Sequence, residues 1–256
     1  MAHEIDYQIL GDDLQAVVVE LDPGEAVQAE AGAMLYMENG IEMNTGTDGG
    51  IFKGLKRAVT GESFFITTFK HGGAGKSHVA FAAPYPGRII PLNMKELGGS
   101  LLCQKDAFLC CAYGIDITIA FTKRLGAGMF GGEGFILQRL AGDGLAFAHA
   151  GGAIIVKDLA HGEHLRVDTG CLVAFQETVD YDIKFVGGFK NALFGGEGLF
   201  FASLTGPGRV YLQTLPLSRL SDRILSASGH NRGEHRGVGG LVGGKGLLGD
   251  LLSGGN

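Results

Sequence analysis

Apolar residues along this chain recur mainly with the two-residue period of a strand. In GIDITIAF (residues 114–121), Ile115, Ile117 and Ile119 alternate with other residues, and in VDYDIKF (179–185), Val179, Tyr181, Ile183 and Phe185 do the same. Successive strand side chains point to opposite faces, so each segment offers one apolar face to a core. Short β-rich runs such as VVVELDPGE (17–25) and LRVDTGCLVAF (165–175) are punctuated by glycine, the pattern of many short strands joined by tight turns. One segment has helical period instead. In PLSRLSDRILSA (216–227), Leu217, Leu220, Ile224 and Leu225 fall on one stripe behind a proline suited to a first turn. That stripe predicts a short helix packed over an open sheet edge.

The strand pattern is written more than once. MFGGEGFILQRLAGDG (129–144) and LFGGEGLFFASLTGPG (193–208) agree at eight of sixteen positions. Upstream, Gly99, Leu102 and Leu109 align with Gly162, Leu165 and Leu172. A fainter copy lies near the N-terminus, where LDPGEAVQAEAGAMLYM (21–37) matches LAHGEHLRVDTGCLVAF (159–175) without a gap. TGESFF (60–65) aligns with GGEGLF (195–200), and PGRII (86–90) with PGRVY (207–211). The first copy then holds fourteen extra residues, including HGGAGKSH, which reads as a lengthened hairpin tip. Self-similarity at a fixed period marks a repeat architecture. The chain therefore reads as an all-β domain over residues 1–228. Its three repeats span about 5–92, 93–155 and 156–215, with a helix at 216–227. A Gly/Leu-rich tail follows at 229–256, too glycine-rich for a stable helix.

Composition narrows the function classes. Of 256 residues, 45 are glycine and six proline, which favours turns and bulges over long helices. A net charge of −6 argues against bulk nucleic-acid affinity, and no specific nucleic acid is expected. The first residues lack a signal-peptide layout, and no apolar run is long enough to span a bilayer. Cys103, Cys110, Cys111 and Cys171 sit in apolar runs with no CxxC pair, as buried reduced thiols of a cytoplasmic protein do.

Several motifs lose their chemistry on inspection. GAGMFG (126–131) has dinucleotide-site glycines but no long helix after it. GAGKS (73–77) lacks the first glycine of a phosphate loop, and no helix follows. His161 and His164 lie in a turn with no further ligands spaced for zinc. Neither a metal nor a cofactor is expected. Glu62, Glu133 and Glu197 align, as do Glu42, Asp116 and Asp180. Acids kept alike in every copy suit a shared backbone better than acid–base chemistry, where paired carboxylates need unlike environments.

Basic residues recur in one region of each copy: Lys53, Lys56 and Arg57, then Lys123 and Arg124, then Lys190. Gathered on one face, they would form a ligand-binding region for phosphates or acidic lipids. The Leu-rich tail would add an apolar contact to a membrane surface.

The FGGEG units, EAGAMLYM (30–37) and GPGRVYLQTLPLSRLSDRI (206–224) resemble an uncharacterised bacterial family whose eukaryotic relatives are the altered-inheritance-of-mitochondria proteins. The resemblance covers about residues 5–227. It implies an all-β, triplicated, double-stranded β-helix-like or sandwich-like fold similar to the tryptophan RNA-binding attenuation protein, and it carries over no catalytic residue. The expectation is a non-enzymatic binding or scaffold protein, self-associating because open β edges need covering, and possible at a membrane or anionic partner. The alternative is a small-molecule-binding protein or enzyme with a cleft between repeats. A pocket lined by histidine or cysteine, where two copies depart from symmetry, would mark the alternative.

Overall fold

Alternating apolar positions become antiparallel sheet throughout the computed structural model, which describes residues 1–30, 32–44, 66–123, 135–186 and 199–229. The protein is all-β, with a single α-helix, α1 (Leu217–Gly229), among the described residues. After β1 (Asp6–Leu10), eighteen strands fall into three sets of six. The first set is β2 (Ala16–Leu21), β3 (Ala26–Glu30), β4 (Met34–Met37), β5 (Ile41–Asn44), β6 (Ile66–His71) and β7 (Ser77–Ala82). The second is β8 (Arg88–Asn93), β9 (Ser100–Gln104), β10 (Phe108–Ala112), β11 (Asp116–Lys123), β12 (Phe135–Ala141) and β13 (Leu145–Ala150). The third is β14 (Ile154–Leu159), β15 (His164–Asp168), β16 (Leu172–Gln176), β17 (Asp180–Val186), β18 (Leu199–Thr205) and β19 (Gly208–Gln213).

Within each set the first, sixth and third strands pair side by side, and so do the fourth, fifth and second. Even an irregularity recurs. Each third strand slips register after its first residue: between Met34 and Tyr36 against β7, between Phe108 and Cys110 against β13, and between Leu172 and Ala174 against β19. A bulge at one place in each set bends the strand in the same way. These bulges make Met34, Phe108 and Leu172 counterparts.

Neighbouring sets join through one kind of contact: the second strand of one set pairs with the third strand of the next. Strand β3 pairs with β10, and β9 with β16. This creates two six-stranded sheets, β5-β6-β3-β10-β13-β8 and β11-β12-β9-β16-β19-β14. The ends of the series are left as a four-stranded sheet, β1-β2-β7-β4, and a three-stranded one, β15-β18-β17.

The pairing corrects one sequence alignment. PGRII and PGRVY do not hold equivalent places: PGRVY leads into β19, the sixth strand of its set. The Arg88–Ile90 segment of PGRII opens β8, which pairs with β13 of the second set. The β6–β7 turn is only residues 72–76. The same Pro-Gly-Arg signal thus lies between the fifth and sixth strands of one set, which belong to different sheets, at 207–209, and between two sets at 86–88.

Turn chemistry explains how the sets keep the same path. The links from β2 to β3 and from β14 to β15 are both four residues long. Gly24 (φ 91°) and Gly162 (φ 74°) hold the left-handed position that tight turns of this kind require. Glu25 and Glu163 each turn a carboxylate back to accept from the N–H of Asp22 and Ala160, both at 2.9 Å. The core forms three apolar clusters, each drawing on two neighbouring sets, with fully buried aromatics such as Phe81, Phe108 and Phe175. In helix α1, Ile224 and Leu225 of the apolar stripe are 60% and 66% exposed.

Candidate functional site

The basic region singled out in the sequence falls largely beyond the described residues. Lys53, Lys56, Arg57, Arg124 and Lys190 lie outside them, and Lys123 is placed only as the last residue of β11. The FGGEG segments, with Glu133 and Glu197, lie outside too, as does Glu62.

Other candidates are accounted for by the framework. The GAGKS segment links β6 to β7, strands of two different sheets; Lys76 is bonded to Glu20, and Ser77 donates its hydroxyl to the Asn39 carbonyl at 2.9 Å. His164 opens β15 with Nδ1 2.9 Å from the Thr205 hydroxyl. No group of three metal-ligating side chains occurs among the described residues. Cys103, Cys110 and Cys111 are buried, and burial pushes each thiol well above its ordinary value, so no reactive thiolate forms there.

The surface charges that do cluster are paired. His78 sits between Glu38 (2.8 Å) and Glu20 (3.3 Å), and the Glu38 bond raises its pKa. Arg209 binds both oxygens of Asp158, at 2.7 and 3.0 Å, which holds that carboxyl below its usual range. Arg139 of β12 reaches Glu177 just past β16 at 2.9 Å and so ties two sets together.

Two features remain. The first is a cavity of about 260 Å³ at the junction of the first two sets. Apolar side chains such as Ala33, Phe108, Leu109 and Leu217 line it, together with Glu30, Tyr85, Asp106 and His149. His149 is 2% exposed, stacks edge-on against Tyr85 at 4.5 Å, and leaves Nδ1 without a partner. Burial lowers its pKa to about 4, so the ring is neutral at pH 7. The corresponding junction between the second and third sets is filled differently. There Gln213 stands where His149 stands: Gln213 pairs with Ile154 of β14 as His149 pairs with Ile89 of β8. Its amide donates to the Gly170 carbonyl at 2.8 Å and accepts from the Gly151 N–H at 2.8 Å. In the first junction the Asp106 carbonyl is bonded instead by the Tyr85 hydroxyl at 2.9 Å. The sequence held this signal. Carrying the alignment of 144 with 208 five residues further sets His149 against Gln213.

The second feature is a pair of unfinished sheet ends. Strand β10 is buried at all five positions and β16 at four of five, but their counterpart β4 exposes three of its four residues. Leu35, Tyr36 and Met37 are 60%, 43% and 40% exposed, whereas their counterparts Leu109, Cys110 and Cys111 are at most 2%. The difference is the missing neighbour. Strands β10 and β16 have a second-strand partner from the preceding set; among the described residues β4 has none, and β15 has no third-strand partner beyond it.

Comparison with known proteins adds the lineage. The family model described as mitochondrial biogenesis AIM24 matches residues 7–215. The chain belongs to the AIM24 family. It is similar to an uncharacterised protein of Streptococcus pyogenes serotype M6, 30% identical over 216 residues covering 81% of this chain and 84% of that one. It is also similar to a Streptococcus pyogenes protein solved by X-ray crystallography, with 26% identity and a TM-score of 0.71 over 88% of this chain and all of the other. The resemblance read from the sequence is thus confirmed at the level of family and all-β fold. Among the described residues no helix is long and apolar enough to cross a membrane.

Proposed function

We propose that this AIM24-family protein is a non-enzymatic scaffold that works by strand pairing at its two sheet ends. One observation carries the reading: the strand that is buried by a neighbour in the second and third sets is left 40–60% exposed at Leu35, Tyr36 and Met37 in the first. An exposed, apolar edge strand is a hazard unless a partner covers it, and strand addition supplies both main-chain bonds and side-chain pockets. The buried thiols and paired surface charges agree with a framework rather than a reaction centre. Native mass spectrometry of the full chain purified from its own host tests the reading. The expected spectrum is a multi-chain species with no stoichiometric small molecule. A monomer would overturn the reading.

The cavity beside His149 favours a second reading, a small-molecule site, because it lies where two junctions depart from symmetry. A neutral imidazole with an open nitrogen in an apolar pocket suits an uncharged ligand with one hydrogen-bonding group. A monomer in that experiment, carrying a bound compound lost on His149→Gln, would support this reading instead.

A further inference from the structure

We propose that the cavity at the first junction binds a neutral, single-ring apolar molecule with one hydroxyl, a phenol or a cyclic alcohol, whose hydroxyl engages the His149 imidazole and the Tyr85 hydroxyl. The assignment rests on the small-molecule reading of this cavity and names its class of ligand. At the second junction the protein supplies its own filling. There the Gln213 amide donates to the Gly170 carbonyl and accepts from the Gly151 N–H, both at 2.8 Å. At the first junction all three parts are changed. Gln213 gives way to His149. Asp106 is the counterpart of Gly170, each standing two residues before the bulge of its third strand, and its carbonyl is taken by the Tyr85 hydroxyl at 2.9 Å. Pro86 is the counterpart of Gly151, because Ile89 and Ile154 hold matching places opposite His149 and Gln213, and a proline has no N–H to give.

Tyr85 comes from an insertion. The link from β7 to β8 is residues 83–87, against 151–153 from β13 to β14. Matching Pro86 and Gly87 to Gly151 and Gly152 leaves Pro84 and Tyr85 as the added pair. The insertion makes the bond to the carbonyl that a glutamine makes elsewhere and releases residue 149 from that task. His149 is nonetheless a polar residue, 2% exposed, with Nδ1 unpartnered, an arrangement that calls for a partner.

The polar atoms on offer set the ligand's functional group. The Tyr85 hydroxyl spends its proton on Asp106 and keeps lone pairs to accept with; a neutral imidazole has one N–H and one lone pair. A hydroxyl both donates and accepts and so suits both groups, whereas an ether or ketone only accepts. The lining excludes anions: among the described residues it holds Glu30 and Asp106 but no lysine or arginine. Burial, then the Asp106 and Glu30 carboxylates, push the Tyr85 phenol well above its ordinary pKa. A cavity of about 150 Å³ accepts benzene, so about 260 Å³ takes one ring with a short alkyl arm against Phe108, Leu109 and Leu217.

Three probes of one shape test this: 4-propylphenol, propylbenzene without the hydroxyl, and 4-propylbenzoate with a negative charge. Each is titrated against the full chain by saturation-transfer NMR. Wild type should bind the phenol about tenfold more tightly than propylbenzene, the worth of one buried hydrogen bond, and the benzoate more weakly than either. His149→Leu should erase the phenol's advantage. Ala33→Leu, which puts added methyl groups into the cavity, should weaken both neutral probes. In wild type carrying 15N-labelled histidine, the His149 ring nitrogens should shift with the phenol and hold still with propylbenzene, a readout that stands if His149→Leu fails to fold. Binding of none of the three, or binding that folded Ala33→Leu leaves intact, overturns the small-molecule reading as well. A phenol bound no more tightly than propylbenzene, a benzoate bound best, or a preference that survives His149→Leu overturns the hydroxyl assignment alone.

Discussion

Acidification should destabilise this protein through His149, and the size of the effect follows from its burial. The ring is 2% exposed and its pKa falls to about 4 for that reason. An unfolded histidine titrates near 6.5. With the folded pKa below the unfolded one, the contribution is whole above about pH 6.5, where both states are neutral. As pH falls further the unfolded chain takes a proton that the folded chain refuses. The loss runs at about 1.4 kcal/mol per pH unit and reaches about 3 kcal/mol near pH 4. Carboxylates held low by their partners, such as Asp158 and Glu177, also lose stability as pH falls, so the comparison needs a control. His149→Gln installs the residue that occupies the matching place in the third set and does not titrate. Urea denaturation of both proteins at about pH 7, about pH 5.5 and about pH 4.5 isolates the histidine. Wild type should lose about 1.4 kcal/mol more than the variant by the middle pH and nearly the full amount by the lowest. Parallel pH profiles would refute the claim that His149 is buried and neutral.

Two further outcomes concern stability. Gly24→Ala and Gly162→Ala should each cost about 1 kcal/mol, a fall of about 2–4 °C, because an added Cβ meets nothing within 4 Å and only the left-handed backbone is strained; clearly unequal shifts would mean that the two turns are not equivalent. Gln138 is fully buried with neither amide atom hydrogen-bonded, so Gln138→Met should raise stability by about 1 kcal/mol in thermal or urea unfolding, and a loss would show that the amide has a partner.

How much of this was legible beforehand depends on the range over which each feature is encoded. The all-β class was legible because alternation at Ile115, Ile117 and Ile119, and the glycines of short turns, are local signals. Helix α1 was legible from its period, within two residues at its end. The PGRII alignment failed because a Pro-Gly turn looks the same whether it joins strands within one set or successive sets; only the pairing of Arg88–Asn93 with β13 separates them. The cavity was half visible, as a histidine opposite a glutamine in the repeat, but its walls come from residues far apart in sequence, from Ala33 to Leu217. The unfinished edges were beyond local reading altogether. MLYM (34–37) looks like any apolar strand, and its exposure follows from being first in a series in which burial is supplied by the preceding member. The basic region lies outside the described residues apart from the backbone of Lys123, and its role as an anionic or membrane contact stands as a proposal open to vesicle flotation.

The most direct measurement of the central claim is amide hydrogen exchange at the two free edges, read residue by residue in the protein at the concentration used for mass measurement. If partner strands cover the outer edges of β4 and β15, the amides of Met37 and Arg166, which alternate away from β7 and β18, should be protected to the same degree as those of their counterparts Cys111 and Gln28, and should lose that protection on dilution. Fast exchange at Met37 and Arg166 beside protected Cys111 and Gln28, in a sample that is already multi-chain, would contradict it.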